Sequence, residues 1–279
     1  MTSRSGSGRR WLINLAIRLV PSLGRLVQER NDLQQRVAQL RSERDALKTR
    51  KKAPAASQRG LHNDDGGDDL RYLFIVTYGR SGSTLLLGVL SSIPGYLIRG
   101  ENGGAAYHLY KFHATAEHNR TSHSGWRSSQ SAWFGIGAYP TRLALKRLRG
   151  LLLATLIRPE KDSRVVGFKE IRWRQSDLDD YVDFLRAVFP GARFVINTRN
   201  LDDVVVSQWW AKRSDSREVL AEAEDRMLAL KTSLGDDAYH IHYDDYVHDL
   251  GRLRGLFDWL GEEFDESRVK EVMNKKHSK

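Results

Sequence analysis

The chain has 279 residues, 40% of them hydrophobic and 29% charged, which suffices for one sizeable domain and an appendage. It has no cysteine, so thiolate zinc sites are excluded. The net charge of +10 sits at one end: residues 1–62 hold 14 Lys and Arg against 4 Asp and Glu, and the rest of the chain holds 31 of each. A broad basic face for nucleic acid is therefore not expected of the main domain.

Residues 9–23 are apolar with basic flanks. The stretch is too short to span a bilayer and is interrupted by Arg18. No small-residue cleavage site marks it as a secretory signal. Two readings stay open: an interfacial amphipathic helix with Trp11 and leucines toward lipid, or a helix packed on its own domain or partner. Leu26, Leu33, Leu40 and Leu47 then recur every seven residues, while the positions three before them alternate Leu23, Arg30, Val37, Arg44. That pattern predicts a short coiled coil, and hence a homodimer, through residues 26–47. Residues 1–50 thus form a helical arm, residues 51–69 a Pro-, Gly- and Asp-containing linker, and residues 70–279 the main domain. The expected location is cytoplasmic, with peripheral membrane contact under the first reading of residues 9–23.

Tyr72 to Thr77 is a run of β-branched and aromatic residues, which predicts a buried strand. The loop Gly79-Arg80-Ser81-Gly82-Ser83-Thr84 follows, then an apolar stretch from Leu85 to Leu90 that predicts a helix. Strand, glycine-rich turn and helix together aim backbone N–H groups and a helix N-terminus at an anion. Gly79 and Gly82 allow close backbone approach, Arg80 adds a cation, and Ser83 and Thr84 add hydroxyls. A nucleoside-triphosphate loop would carry a lysine just before the hydroxyl residue; here Gly82 precedes Ser83 directly.

Residues 104–159 are the least legible. His108, His113, His118 and His123 fall at about five-residue spacing, which is not the i, i+4 pair of a metal helix, so they are expected at the surface or in an acceptor cleft. Tyr107, Tyr110, Trp126, Trp133, Phe134 and Tyr139 fit stacking against a sugar or phenol and fit an ordinary core equally well. An amphipathic helix is expected over 141–157. Arg164 to Trp173 predicts a strand that ends with Lys169 and Arg172 at the sheet edge where open α/β folds place ligands. Phe194 to Asn197 predicts another strand, followed by a helix with Asp202 and Asp203 in its first turn and Ser207 farther along it. Arg199 at that strand end suits phosphate, because a guanidinium forks onto its oxygens while a hydroxyl adds one bond. Residues 238–248 open a last strand, with helix expected through Leu260.

The loop 79–84, the Arg199–Ser207 pair and the Gly-Phe-Lys-Glu-Ile-Arg-Trp string at 167–173 occur in the order found in sulfotransferases that use 3′-phosphoadenosine-5′-phosphosulfate (PAPS). From about Leu70 onward the chain resembles that family, and its tyrosylprotein, carbohydrate and bacterial branches more than the cytosolic small-molecule branch. It departs from the cytosolic branch in having Arg80 where a loop lysine stands, Ile171 where the histidine stands, and no visible glycine-rich C-terminal motif. The resemblance implies an α/β fold with a P-loop-like, doubly wound, mostly parallel sheet flanked by helices, preceded by the coiled-coil arm. It implies sulfuryl transfer from PAPS to a hydroxyl of a carbohydrate, glycolipid, phenol or tyrosine. Gly79, Arg80, Ser81, Gly82, Ser83 and Thr84 would hold the 5′-phosphosulfate, and Arg199 and Ser207 the 3′-phosphate. Glu101 matches the position of the catalytic carboxylate in the tyrosylprotein branch; Arg80 and Lys169 would hold developing charge, and no metal is expected. Lys275 to Ser278 is similar to a family ending that lies near the nucleotide. Two other classes fit parts of the pattern: a P-loop-type kinase, and a non-catalytic coiled-coil scaffold.

Overall fold

Residues 69–275 are described by the structure, a computed structural model; the expected helix at 9–23, the coiled coil at 26–47 and Lys276 to Lys279 lie outside them. Five strands form one sheet: β1 (Arg71–Val76), β2 (Tyr96–Arg99), β3 (Val165–Glu170), β4 (Arg193–Thr198) and β5 (Ala238–His242). Their order is β2-β3-β1-β4-β5, and every pairing is parallel. Central β1 is buried on both sides, which is why it reads as an unbroken hydrophobic run.

Alternation along β1 divides the core. Tyr72, Phe74 and Val76 join one cluster with α2 (Ala105–Ser122), α3 (Thr141–Leu152), α4 (Leu178–Val188) and α6 (Ser216–Leu234). Leu73 and Ile75 join another with α1 (Ser83–Ser91), α7 (Tyr243–His248), α8 (Arg254–Leu260) and α9 (Glu266–Met273). A short helix α5 (Leu201–Val205) follows β4. Register sets the site: Lys169 lies opposite Ile75 and Ile196 opposite Val76, so the loops after β1, β3 and β4 emerge side by side. The chain crosses from β3 to β4 over β1, making this carboxyl edge the point where the winding reverses.

Three sequence expectations change. Ser207 does not lie on the helix after β4: α5 stops at Val205, and Ser207 sits in a turn with its N–H on Val204 O at 3.0 Å. Three successive valines stiffen that stretch, and Gln208 turns the backbone at φ 47°. The helix expected over 141–157 is α only to Leu152 and closes in a π turn from Leu153 to Ile157. Arg99 captures the freed carbonyls there, donating to Ile157 O at 2.8 Å and Arg158 O at 3.0 Å. The helix expected after β5 through Leu260 is broken into α7, a 3-10 turn at Leu250–Leu253, and α8.

Glu262 ties the amino edge of the sheet. Its carboxylate accepts two bonds of 2.6 Å from Arg164, just before β3, one of 3.0 Å from Tyr96, which opens β2, and one of 3.3 Å from Arg71, which opens β1. The Arg164 bonds hold the carboxyl below its ordinary range although burial opposes them. A depressed folded pKa adds stability above the unfolded value of 4.5, and that stability is lost as pH falls through the folded value. Glu262→Gln is expected to lower unfolding free energy by about 2 kcal/mol at pH 7, with the gap closing as pH falls below about 4.5. Urea melts at pH 7 and pH 3 check it; an equal gap at both would refute the charge assignment.

Candidate active site

The loop after β1 is built for close backbone approach. Gly82 is the N-cap of α1 at φ 76°, with no side chain capping the helix, and a Cβ there would enter the Tyr243 ring. A Cβ on Gly79 would come within 2.6 Å of the Trp209 ring, so space requires glycine at both positions and conformation requires it at Gly82. Arg80 takes φ 71°, a left-handed conformation uncommon for a side-chain-bearing residue. The strain is held by neighbours: Trp210 Nε1 donates to Gly79 O at 3.1 Å, and Asn197 Nδ2 donates to Ser81 O at 3.0 Å. Thr77 donates to Asn197 O at 2.8 Å, and Tyr246 donates to Asn197 Oδ1 at 3.2 Å. These bonds bind the β1 loop to β4 and α7.

One cavity of about 620 Å³ gathers most of the sequence-predicted residues. Gly79, Arg80, Gly82, Ser83 and Thr84 line it from the loop, Glu101 and Lys169 from one side, and Arg199 from the other. Two predicted residues stand back from its wall. Ser81 is fully buried with its Oγ 2.6 Å from Thr77 Oγ1, where it braces the loop, and Ser207 accepts a 3.0 Å bond from Arg80 Nε.

Lys169 Nζ donates to Glu101 Oε1 at 2.6 Å; the lysine side chain is 6% exposed and the glutamate 41%. The segment carrying Glu101 is held by buried Glu170, whose Oε2 accepts from Gly104 N at 3.0 Å and Asn102 N at 3.2 Å, ahead of α2. Adjacent β3 residues thus divide the work, Lys169 meeting the Glu101 side chain and Glu170 anchoring the backbone behind it. Arg199 lies over the Tyr243 ring at 4.7 Å and donates to Arg80 O at 3.3 Å. Asp203 and Asp244 approach it only to 3.7 and 3.9 Å, and its Nε is buried without a hydrogen-bond partner. Tyr78 accepts from Arg199 N at 2.8 Å and reaches Glu224 at 2.6 Å; burial and Glu224 push its phenol well above the usual range, so it remains a neutral brace.

Sequence reasoning missed Trp209, Gln208 and Tyr243, which also line the cavity, because nothing local marks a residue that reaches the loop from another element. Lys275 lies on its wall, in the segment the resemblance pointed to. Of the aromatic residues at 107–139, Tyr107 and Tyr110 belong to the core, both donating to Asp177, at 2.9 and 3.1 Å. Trp133 and Phe134 are exposed. His113 packs on Tyr139 in the α2 region and lines no part of the cavity. Among the described residues no group of His, Asp and Glu has the arrangement to hold a metal, and no helix is long and apolar enough to cross a membrane.

A parallel sheet wound in this order, with a glycine-bounded loop feeding a helix N-terminus in a cavity lined by Arg80, Lys169, Arg199 and Lys275, defines an α/β protein with its candidate site at the carboxyl edge of the sheet. The sequence model of the Sulfotransferase family matches residues 73–266, and the chain belongs to that family. Among solved structures, the sulfotransferase domain from the Synechococcus PCC 7002 olefin synthase shares its fold at 19% identity and a TM-score of 0.50, over 78% of this chain and 82% of that one. The sulfotransferase domain from the curacin biosynthetic pathway follows at 16% identity and a TM-score of 0.49, over 75% and 79%. A mouse sulfotransferase, SULT7A1 complexed with PAP, shows 12% identity and a TM-score of 0.40, over 73% and 63%. No match is found among curated proteins. The protein is an enzyme of sulfuryl transfer, acting on hydroxyl-bearing acceptors.

Proposed function

We propose that the donor is PAPS and that the 620 Å³ cavity is its seat. The observation that carries this reading is the convergence of the β1 loop, Lys169 and Arg199 on one space, with a buried Arg199 Nε that has no hydrogen-bond partner and only a loose 3.9 Å approach to Asp244. The N–H groups of Gly82, Ser83 and Thr84 at the start of α1 take the 5′-phosphosulfate, and Arg80 stands beside them. Arg199 takes the 3′-phosphate, with Ser207 fixing Arg80 through the 3.0 Å bond and the Tyr243 ring supporting the guanidinium. Transfer forms a bond between sulfur and the acceptor oxygen as the bond to the donor's bridging oxygen breaks, in line, with charge spread over the sulfonate oxygens.

Glu101 receives the acceptor proton in this reading. Lys169 has three donors, so it can keep its bond to Glu101 and still face the bridging oxygen as charge develops there. Neutralisation rests on Arg80, Lys169 and Arg199, and binding is expected without magnesium. A P-loop kinase is disfavoured by family membership and by the loop, which has no lysine before Ser83. Self-association through residues 26–47, contact of residues 9–23 with a membrane surface and a cytoplasmic location belong to the same reading and rest on the sequence.

Calorimetric titration of 3′-phosphoadenosine-5′-phosphate (PAP) in the presence of a chelator tests the donor site. Arg199→Ala is expected to weaken PAP by about 20- to 100-fold, as loss of a charge-assisted contact would, and to leave adenosine-5′-phosphosulfate within about twofold. Tight binding of Mg-ATP with none of PAP would overturn the reading.

A further inference from the structure

A second cleft of about 680 Å³ adjoins the donor cavity and shares Gly79, Ile171 and Trp209 with it. Four guanidinium groups line it, those of Arg172, Arg174, Arg213 and Arg226, against the single carboxylate of Glu222. The pairing inside the cleft is uneven. Arg226 is held by Glu222 and donates to Arg174 O at 2.9 Å, while Arg213 is held by Asp215 through bonds of 2.9 and 2.8 Å. Arg172 and Arg174 have no carboxylate within 4.0 Å among the described residues. Arg172 donates to Gly103 O at 2.8 Å, and Arg174 rests 5.6 Å from the Trp210 ring. Between them Trp173 is buried, its Nε1 donating to Glu170 O at 2.7 Å, which sets the two exposed arginines in place on either side of it. Trp209 is 45% exposed where the two cavities meet and offers a flat apolar surface.

Two unneutralised guanidinium groups beside an aromatic face favour a ligand that is both anionic and ring-bearing. We infer that the acceptor is itself an anion: its carboxylate or other acidic group is held by Arg172 and Arg174, its ring lies on Trp209, and its hydroxyl is presented at the Gly79–Ile171 border. This rests on the donor reading above, since it takes the neighbouring cavity as the donor's. A neutral sugar or phenol would leave both arginines without an anionic partner and gain only the stacking contact. Charge at Arg172 and Arg174 thus becomes the selector of substrate class, while the loop and Lys169 serve any acceptor.

A matched pair of probes decides it: 4-nitrophenyl β-glucuronide and 4-nitrophenyl β-glucoside, which differ in a carboxylate. Their binding is measured by calorimetry on the full chain, with and without saturating PAP. The glucuronide is expected to bind wild type about tenfold more tightly or better, with the advantage shrinking as salt is raised. In Arg172→Gln/Arg174→Gln the advantage should vanish, while glucoside and PAP affinities stay at wild-type values and report an intact fold. Equal binding of the two probes, no binding of either at millimolar concentration, or a preference that survives the double substitution would overturn the inference. Failure of PAP to bind wild type would instead refute the donor reading, and the probe comparison on the unloaded protein would still decide the cleft.

Discussion

Glu101→Gln is expected to lower kcat by about 10²- to 10⁴-fold and to leave PAP affinity within about twofold of wild type. The substitution keeps the shape of the side chain and one oxygen able to accept from Lys169 Nζ, now at 2.6 Å from Oε1. What it removes is the capacity to take a proton from the acceptor. The backbone that presents residue 101 is held by Glu170 through Asn102 N and Gly104 N, not by the Glu101 carboxylate, so the loop has its own anchor. The loss should therefore appear in turnover and not in donor binding. Single-turnover rates with saturating donor, paired with PAP titration, check it. Wild-type turnover in the variant would remove Glu101 from the chemistry.

Lys169→Met is expected to cost about 10²- to 10³-fold in kcat, the scale found when one donor that stabilises developing charge is removed. Methionine approximates the length and apolar stem of the lysine, which matters because Lys169 is 5% exposed and its stem packs at the end of β3. Its ammonium is the one cation of the cavity that arises from inside the sheet, fixed opposite Ile75 in β1. Lys169→Arg serves as a companion: charge is kept but the head is larger and planar, so partial recovery is expected. Because Lys169 and Glu101 touch, their effects should not add. The doubly substituted enzyme, Glu101→Gln with Lys169→Met, is expected to be less impaired than the product of the two single losses. Strict multiplicativity would mean that the 2.6 Å contact plays no part in the reaction.

The loop after β1 was legible because everything it needs is local. A buried strand, two glycines and a helix start lie within Tyr72–Leu90, and the structure places β1, Gly82 at φ 76° and α1 there. Arg199 at the end of β4 was legible for the same reason, as strand and turn are neighbours in sequence. Ser207 was not placed correctly, since helix length after a strand depends on how the chain turns back, and here it turns at Gln208. The meeting of Glu101 with Lys169 spans 68 residues, and nothing in either segment announces the other. Glu262 is as silent in the sequence, one carboxylate in a C-terminal turn that joins the starts of three strands.

The sequence by itself determined the buried central strand, the glycine turn into a helix start, the basic residues near the strand ends and the lack of cysteine. These follow from side-chain period, backbone freedom at glycine and charge, properties each residue carries wherever the chain goes. Tertiary structure alone decided which of the described arginines stay without carboxylates, which aromatic ring closes over Gly79, and that the cavity at the β1 loop adjoins a second, arginine-lined cleft. Such features depend on parallel register and crossover order, which bring Gly79, Ile171 and Trp209 to one edge from three separate stretches of chain.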